Sequence, residues 1–459
     1  MKIAGQRFSI VGMGKSGLSA ARALIKRGGD CLISDRRDDQ DLKNIAKEFE
    51  GRASVVLGRE VIREGDVAIL SPGISPNSEI YRFAWKVASE VIGEVELFYR
   101  LFGGRIVAVT GTDGKSTVTS LIAHLLRSGG IDAYAGGNLG NPLCSLLDEV
   151  GEDSVVVAEV SCFQLLTIKH FRPFVALVTN IAHDHIEYHG SFEAYVRAKS
   201  RILMNQAHGD FFVRNRDDLI LAKWLTLGNP FAHNNGQKVL EVSQNGPVRD
   251  GAWTWGKVLH LAKDGRSSEI CGVDELFGKG MHIIENSLLS CAACIPFGIE
   301  PHVLRNGLLS FKGLRHRIQF VKEISGVRFY NDSKATNPHA AAAGINSFDE
   351  MVVLIAGGYD KGLPLDPLVD AVSQRCVACV LCGDNAETMA SALRKVTNVV
   401  IARSLVDAVY SAYEIAVKTG VKVVLLSPAS SSFDAFRDFE ERGERFEEAV
   451  LKLSIRRGQ

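Results

Sequence analysis

The sequence lacks an excess of charge of either sign, because 53 Lys and Arg residues balance 53 Asp and Glu residues among 459 positions. This balance argues against a nucleic-acid surface as the main binding function. The sequence also lacks an apolar run long enough to span a membrane. Its first residues lead directly into a strand and a glycine turn, so we expect no signal peptide. We therefore expect a cytoplasmic protein with no nucleic-acid partner and no membrane partner.

The sequence lacks a dense cysteine pattern, because its nine cysteines are scattered along the chain and odd in number. Scattered, odd-numbered cysteines favour reduced thiols over a disulfide framework. Cys376, Cys379 and Cys382 lie in the apolar run RCVACVLCG, which reads as a buried strand. Because side chains alternate along a strand, we expect Cys379 to face away from the other two. This argues against a metal cluster there.

The chain is long enough for about three domains, and its 46% hydrophobic and 23% charged residues are globular values. Apolar strand-like runs alternate with glycine turns and helical patterns along most of its length, which is typical of α/β folds. We expect domains at residues 1–96, 97–313 and 314–459.

Residues 105–117, RIVAVTGTDGKST, combine the features of a phosphate-binding loop. Ile106–Val109 reads as a buried parallel strand, and Val118–Leu126 has helical apolar spacing. Glycines let the backbone approach oxygen atoms, and a helix N-terminus offers free N–H groups and a positive dipole end. Lys115 would reach the β- and γ-phosphates, and the following hydroxyl residues would hold Mg²⁺. The sequence therefore predicts nucleotide triphosphate binding.

An earlier glycine motif lies at Gly12–Gly17, and Asp35 ends the strand that follows it. This G-x-G-x-x-G pattern with a later acid is the dinucleotide fingerprint, so an NAD-dependent oxidoreductase has to be considered. A full dinucleotide fold needs two such halves, however, and this pattern ends by Glu96. A single half suits a mononucleotide such as UDP.

The shortened loop TGTDGKST resembles the ATP loop of the Mur ligase family, which builds the peptide of bacterial cell-wall precursors one amino acid at a time. Other strings resemble the motifs of that family: EVSCFQL from Glu159, TNIAHDH ending at His185, NDSKATN from Asn331 and SPASSSFD from Ser427. The last two strings resemble the members that add D-glutamate. Two positions depart from the pattern, since Cys162 replaces a serine and Ile283 replaces an asparagine.

The resemblance implies an α/β fold of three domains. The first would be a Rossmann-like domain that binds the UDP end of the substrate, and the second a P-loop domain with a mostly parallel sheet. The third would be a Rossmann-like domain that binds the amino acid. The partners would be the small molecules UDP-N-acetylmuramoyl-L-alanine, D-glutamate and ATP, acted on by a monomer.

The resemblance also implies the site residues. The catalytic set would be Lys115, His185, Lys199 and Lys334. The ATP-binding set would be Gly111, Thr112, Asp113, Gly114, Lys115, Ser116, Thr117, Asn286, Arg317 and Asp332. The UDP-substrate set would be Gly14, Lys15, Ser16, Asp35, Arg37, Ser71, Asn138 and His185. The D-glutamate set would be Thr336, Lys361, Ser432, Phe433 and Phe439.

The resemblance further implies two Mg²⁺ ions and a modified lysine. The metal set would be Ser116, Thr117, Glu159, His185 and Lys199. In this family the lysine that matches Lys199 takes up CO₂, and the resulting carbamate supplies an anionic oxygen to the second Mg²⁺.

The implied chemistry is amide formation through an acyl phosphate. ATP would phosphorylate a carboxylate, an amine would attack, and phosphate would leave, which requires mainly positioning and charge neutralisation. An acyl phosphate must be kept from water, which favours domain closure around a hinge near Gly313. Three alternatives stay open: another amide ligase of this fold, of the folylpolyglutamate or L-alanine-adding type, an NAD-dependent oxidoreductase, and a P-loop switch without catalysis.

Overall fold

The computed structural model describes residues 2–184, 186–224, 235–276, 281–360 and 362–456. The chain forms two compact units, residues 1–311 and residues 312–459. Three separate sheets organise it into three α/β domains, of which the first two belong to the first unit.

The first domain contains five strands and three helices. The strands are β1 (Arg7–Val11), β2 (Asp30–Asp35), β3 (Ser54–Leu57), β4 (Val67–Leu70) and β5 (Glu90–Ile92), and the helices are α1 (Lys15–Lys26), α2 (Gln40–Ala46) and α3 (Glu79–Val87). All pairs are parallel, in the order β3-β2-β1-β4-β5. The loops after β1, β2 and β4 therefore emerge at one edge of the sheet.

Helix α4 (Glu94–Leu101) joins the first domain to the second, and the expected boundary between residues 96 and 97 falls inside it. Its apolar side chains belong to a hydrophobic core that contains residues of β1 and of the next sheet alike. Two buried glutamates add polar contacts: Glu94 accepts from the backbone N–H of Cys144, and Glu96 from those of Lys169, His170 and Phe171. The two domains are thereby packed as one unit.

The described residues of the central domain form a sheet of nine strands. They are β6 (Arg105–Thr110), β7 (Ala133–Gly137), β8 (Val155–Glu159), β9 (Val175–Val178), β10 (Phe211–Asn215), β11 (Lys238–Ser243), β12 (Gly251–Trp255), β13 (Val258–Lys263) and β14 (Arg266–Gly272). Its helices are α5 (Lys115–Ser128), α6 (Cys162–Leu165), α7 (Ile186–His189), α8 (Phe192–Ser200), α9 (Met281–Cys294) and α10 (Pro301–Ser310).

The order of the central sheet is β14-β13-β12-β11-β10-β9-β6-β8-β7. Pairing is parallel from β7 to β12, and β12, β13 and β14 form an antiparallel meander at the far edge. Strand β6 lies between β8 and β9, with Val109 opposite both Glu159 and Leu177. The loop that follows β6 is therefore flanked by the loops that follow β8 and β9.

The second unit contains a six-stranded sheet. Its strands are β15 (Gln319–Ile324), β16 (Val327–Asn331), β17 (Val352–Ala356), β18 (Cys376–Leu381), β19 (Asn398–Ile401) and β20 (Val423–Leu426), and its helices are α11 (Pro338–Asn346), α12 (Asp366–Arg375), α13 (Ala386–Leu393), α14 (Leu405–Thr419) and α15 (Phe439–Arg456). The order is β15-β16-β20-β17-β18-β19, parallel except for the β15–β16 pair. The candidate residues after β16 and β20 therefore share one edge.

The run RCVACVLCG forms the buried strand β18, and Cys379 faces away from Cys382 as expected, but not from Cys376. A bulge opposite Val352 and Val353 adds one residue after Cys376, so Cys376 and Cys379 enter the same core layer. A hydrogen bond to Cys376 and burial raise the pKa of the Cys379 thiol well above its usual value. Within the described ranges no group of three His, Cys, Asp or Glu side chains could hold a metal ion, and no described helix has the length and apolar character needed to cross a membrane.

Candidate active site

The phosphate loop joins β6 to α5 and depends on two glycines. Gly111 has a φ of 141°, and a Cβ atom there would lie 1.9 Å from Thr179 Oγ1. Gly114 adopts a left-handed conformation just before α5, and its Cβ atom would lie 2.5 Å from Asn286 Oδ1. Only glycine fits this backbone without displacing its neighbours. The predicted ATP-binding residue Asn286 therefore lies directly against the loop.

The segment after β9 fixes the loop from the side. The backbone N–H of Thr112 donates to Asn180 O at 3.0 Å, and that of Asp113 donates to Asn180 Oδ1 at 2.9 Å. The Thr179 hydroxyl donates to Asp113 O at 2.5 Å. Lys115 Nζ donates to Thr112 O at 2.6 Å. Thr179 and Asn180 were missed as loop-holding residues, although the motif TNIAHDH contains both.

Glu159 ends β8 beside the phosphate loop, and its side chain is 2% exposed. Its Oε1 accepts a hydrogen bond from Asn138 Nδ2 at 2.8 Å. Its Oε2 is buried and has no hydrogen-bond partner within the described part of the chain. An unpartnered carboxylate oxygen near a phosphate loop is the kind of ligand that Mg²⁺ takes, together with a hydroxyl such as that of the buried Ser116. The donor set present here therefore fits Mg²⁺.

Lys199 lies on α8 and is 2% exposed. Its Nζ donates to Gly111 O at 2.6 Å and lies 4.6 Å from the centre of the Tyr195 ring. Burial lowers the pKa of the Lys199 ammonium to about 8. A larger fraction of this amine is therefore neutral, and so nucleophilic, at physiological pH than in an exposed lysine.

A cleft of about 540 Å³ opens at the loops of the first domain and reaches the loop after β7. It is lined by every described residue of the predicted UDP-substrate set: Gly14, Lys15, Ser16, Asp35, Arg37, Ser71 and Asn138. These residues are spread over 125 positions of the sequence, from 14 to 138. The fold brings them together, and the bond between Asn138 and Glu159 connects the cleft to the proposed metal site.

Asp35 shapes this cleft as well as lining it. Its Oδ2 accepts from the backbone N–H of Met13 at 2.8 Å, and its Oδ1 from that of Arg37 at 2.9 Å. Burial opposes ionisation, but these two hydrogen bonds and the Arg37 guanidinium lower the pKa of Asp35 overall. The ionised carboxylate thus holds the glycine loop in place.

In the second unit, Asp332 follows β16 and accepts a hydrogen bond from the Ser427 hydroxyl at 2.7 Å. Burial raises the pKa of Asp332 to about 7. Lys334 Nζ lies 5.7 Å from the centre of the Phe439 ring. Thr336 is half-buried and Arg317 is exposed.

The segment SPASSSFD follows β20, and the buried Arg442 holds it in place. The Arg442 guanidinium donates to the carbonyl oxygens of Ser430 and Ser431 and to Ser333. Ser432 is buried, whereas Phe433 is 68% exposed. The segment therefore presents Phe433 on the surface of this unit while its neighbouring serines point inward.

Two predicted site residues, His185 and Lys361, lie outside the described residues. Of the two departures from the motif pattern, Cys162 is buried at the start of α6, and Ile283 packs against the core of the central domain. His183, which belongs to the motif TNIAHDH, stacks its ring on that of Phe192 with centroids 4.2 Å apart.

Three family models match successive parts of the chain. The Mur ligase MurD-like N-terminal domain matches residues 6–93, the Mur ligase middle domain matches residues 109–294, and the Mur ligase glutamate ligase domain matches residues 316–430.

Two relatives are similar over their full length, and each carries the name UDP-N-acetylmuramoylalanine--D-glutamate ligase. The protein from Caldanaerobacter subterraneus subsp. tengcongensis is 37% identical over 461 residues, covering 99% of this chain and 100% of the relative. The protein from Pelotomaculum thermopropionicum is 38% identical over 457 residues, covering 98% of each.

Solved structures show the same fold at low sequence identity. MurF from Acinetobacter baumannii aligns with a TM-score of 0.59 at 16% identity, covering 91% of each chain. The UDP-N-acetylmuramate-alanine ligase MurC from Thermotoga maritima aligns with a TM-score of 0.56 at 17% identity, covering 97% of this chain and 99% of the other.

Proposed function

The chain belongs to the Mur ligase family, and from that premise we propose that it joins D-glutamate to UDP-N-acetylmuramoyl-L-alanine in an ATP-dependent reaction. The observation that carries the proposal is full-length identity of 37% and 38% to two D-glutamate ligases. The cleft supports it, because the described residues of the UDP-substrate set all line one concave surface. Alternatives that leave the phosphate loop idle, such as an oxidoreductase, find no support in these matches.

The proposed reaction needs the substrate carboxylate to be activated before the amine attacks. ATP transfers its terminal phosphate to that carboxylate, the D-glutamate amine adds to the acyl phosphate, and the tetrahedral intermediate expels phosphate. In this scheme Lys115 and the N–H groups of the phosphate loop bind the phosphates. Lys334 in the second unit supplies a further positive charge to the transferred group.

Glu159 and Ser116 would hold a Mg²⁺ ion beside the phosphate loop, with Thr117, His185 and Lys199 as further members of the proposed metal set. When bound, Mg²⁺ neutralises the negative charge of the phosphates. The buried, unpartnered Oε2 of Glu159 supports this assignment.

We also propose that Lys199 becomes a carbamate. Its burial and its lowered pKa favour the neutral amine that attacks CO₂, in which the new N–C bond forms as a proton leaves the nitrogen. The carbamate would then face the phosphate loop, since the amine already contacts Gly111.

The variant Lys199→Ala tests the carbamate. We expect activity to be lost and to return in part when acetate or formate supplies the missing carboxylate. Lys26→Ala, which removes an exposed lysine paired with Asp148, is the control and should keep wild-type activity. Full activity of Lys199→Ala without additives would refute the proposal.

Phosphate release tests the overall function. The protein is assayed with ATP and UDP-N-acetylmuramoyl-L-alanine, and D-glutamate, L-glutamate and L-alanine are compared as the third substrate. We expect phosphate release with D-glutamate and none with L-glutamate or L-alanine. A second assay contains UDP-N-acetylmuramate in place of UDP-N-acetylmuramoyl-L-alanine, and release there with L-alanine instead would assign the chain to another branch of the family.

We further propose that the protein works as a monomer in the cytoplasm. All nine cysteines lie within the described residues and are unpaired, which suits a reducing compartment. Light scattering during size-exclusion chromatography would test the monomer, for which the expected mass is 49.9 kDa.

A further inference from the structure

Tyr195 lies on the same face of α8 as Lys199, one turn earlier in the helix. Both side chains are buried, with Tyr195 fully excluded from solvent. Each reaches the phosphate loop, and they contact consecutive residues of it, Thr112 and Gly111. Tyr195 belongs to none of the predicted site sets, and the reaction proposed above does not use it.

The Tyr195 hydroxyl lies 2.9 Å from Thr112 Oγ1. The same Thr112 oxygen accepts from the backbone N–H of Ala182 at 2.9 Å and donates its one proton toward Ala182 O at 3.3 Å. A hydroxyl has one proton to donate and two lone pairs that accept. All three contacts are satisfied together only when Tyr195 donates to Thr112. The tyrosine thus completes the hydrogen bonding of this loop residue.

The ring of Tyr195 supports the second contact. Lys199 Nζ lies over it at 4.6 Å while donating to Gly111 O. The ring is itself packed edge-on against the His189 ring, with centroids 5.6 Å apart. One buried side chain thus orients Thr112 through its hydroxyl and Lys199 through its face.

Thr112 in turn holds Lys115, the lysine of the phosphate loop. Its carbonyl oxygen accepts from Lys115 Nζ at 2.6 Å, and its backbone N–H donates to Asn180 O. If Thr112 rotates, the loop loses the peptide orientation that holds Lys115. We propose that Tyr195 is a positioning residue for nucleotide binding, acting through Thr112 on the phosphate loop. This inference rests on the ATP-binding part of the proposed function.

The variant Tyr195→Phe keeps the ring and removes the hydroxyl. Loss of one such hydrogen bond corresponds to roughly a fivefold to tenfold weaker affinity. We expect this loss in the affinity for a fluorescent ATP analogue and an equal rise in the KM for ATP, with kcat within about twofold of wild type. Tyr134→Phe is the matched control, since Tyr134 bonds Asp132 at the start of β7, and its ATP affinity should not change.

A double-mutant cycle separates positioning from a general loss of packing. Thr112→Val should weaken nucleotide binding as Tyr195→Phe does. The double variant should lose no more nucleotide affinity than the single variant that binds the nucleotide less tightly. Thr112→Ser retains the hydroxyl and should weaken nucleotide binding less than Thr112→Val does, which tests the contact even if Tyr195→Phe folds poorly. Additive losses, or wild-type affinity in Tyr195→Phe, would overturn the inference.

The binding measurement needs no amide product. A wild-type protein that binds the nucleotide but does not ligate D-glutamate would therefore count against the proposed substrate and leave this inference standing. A wild-type protein that does not bind the nucleotide would overturn both.

Discussion

The Glu159 side chain places a carboxylate oxygen in the interior without a hydrogen-bond partner among the described residues. Burying such an oxygen is unfavourable for folding unless a cation compensates it. Glu159→Gln keeps the size of the side chain and can still accept from Asn138, but it removes the charge. We predict that Mg²⁺-dependent phosphate release falls by about 100-fold while the thermal stability of the ligand-free protein does not fall. Mg²⁺ titration of activity and differential scanning fluorimetry measure the two effects.

Glu149→Gln is the control for this prediction, because Glu149 is exposed at the end of the segment after β7. It should leave both the Mg²⁺ dependence and the melting temperature unchanged. If phosphate release by Glu159→Gln depended on Mg²⁺ as in wild type, Glu159 would not be a metal ligand.

Asp332 gives the second unit a predicted pH dependence. Its pKa rises from an ordinary 3.8 to about 7 on burial, so the folded chain holds the proton more tightly than the unfolded chain. The stability that this group contributes is complete below about pH 4 and is lost as pH rises through about 7. We predict that Asp332→Asn, which stays neutral, becomes progressively more stable than wild type between these limits, with no further gain above them.

Hydrogen–deuterium exchange of β16 and β20, corrected for the intrinsic effect of pH, measures this stability. All four tryptophans lie before residue 312, so their fluorescence reports the first unit and serves as the internal control. That unit contains its own buried acid, Glu94, whose pKa burial raises to about 7, and its transition should be the same in both proteins. If the stability of β16 and β20 changed with pH in the same way in wild type and variant, the prediction would be contradicted.

Individual contacts were less predictable from the sequence than individual motifs. The residues of the first-domain cleft could be named because the motifs of the chain resemble those of the Mur ligase family. Tyr195, Thr179 and Asn180 were missed as holders of the phosphate loop, because their partners lie 66 to 83 positions away. The spacing of Tyr195 and Lys199 on one helix face was the available signal.

At the scale of elements, buried parallel strands were the most predictable feature, since they read as continuous apolar runs. β4, β17 and β20 are such runs, of four or five apolar residues that are buried throughout. The bulge in β18 was not predictable, because it depends on the register with β17. Helix α8 ends at Ser200, where a 3₁₀ turn begins and Arg201 donates to Leu165 O and Ile168 O, and these contacts to a distant segment were not predictable.

The loop between β6 and α5 yields a prediction of its own. Gly111→Ala adds a Cβ atom that would lie 1.9 Å from Thr179 Oγ1 in a backbone conformation that alanine rarely adopts. We predict that the loop is displaced and that affinity for an ATP analogue falls by at least about tenfold. Isothermal titration calorimetry measures this affinity.

Gly130→Ala is the matched control, because Gly130 also has a positive φ, but its Cβ atom would meet nothing within 4 Å. It should lose about 1 kcal/mol of stability and bind ATP normally. Equal ATP affinities for the two variants would show that the collision with Thr179 does not affect ATP binding.

At the scale of the whole molecule, the three α/β patterns of the sequence correspond to three sheets, but their grouping was not predictable. The expected boundary after residue 96 falls within α4, whose buried glutamates bond to backbone groups of the central domain. Neither set of hydrogen bonds can be predicted from the periodicity of the sequence. The chain consequently divides into two compact units, at residues 311 and 312.

This division makes closure testable, because the proposed reaction uses Lys115 from the first unit and Lys334 from the second. An acyl phosphate survives only where water is excluded, so the reacting state should be more compact than the free protein. We predict that the radius of gyration measured by small-angle scattering falls when UDP-N-acetylmuramoyl-L-alanine and a non-hydrolysable ATP analogue are both added. Lys115→Ala, which weakens phosphate binding, should keep the free dimensions under the same conditions. Unchanged dimensions of the wild-type protein at saturating ligand would count against closure and against the role proposed for Lys334 in phosphate transfer.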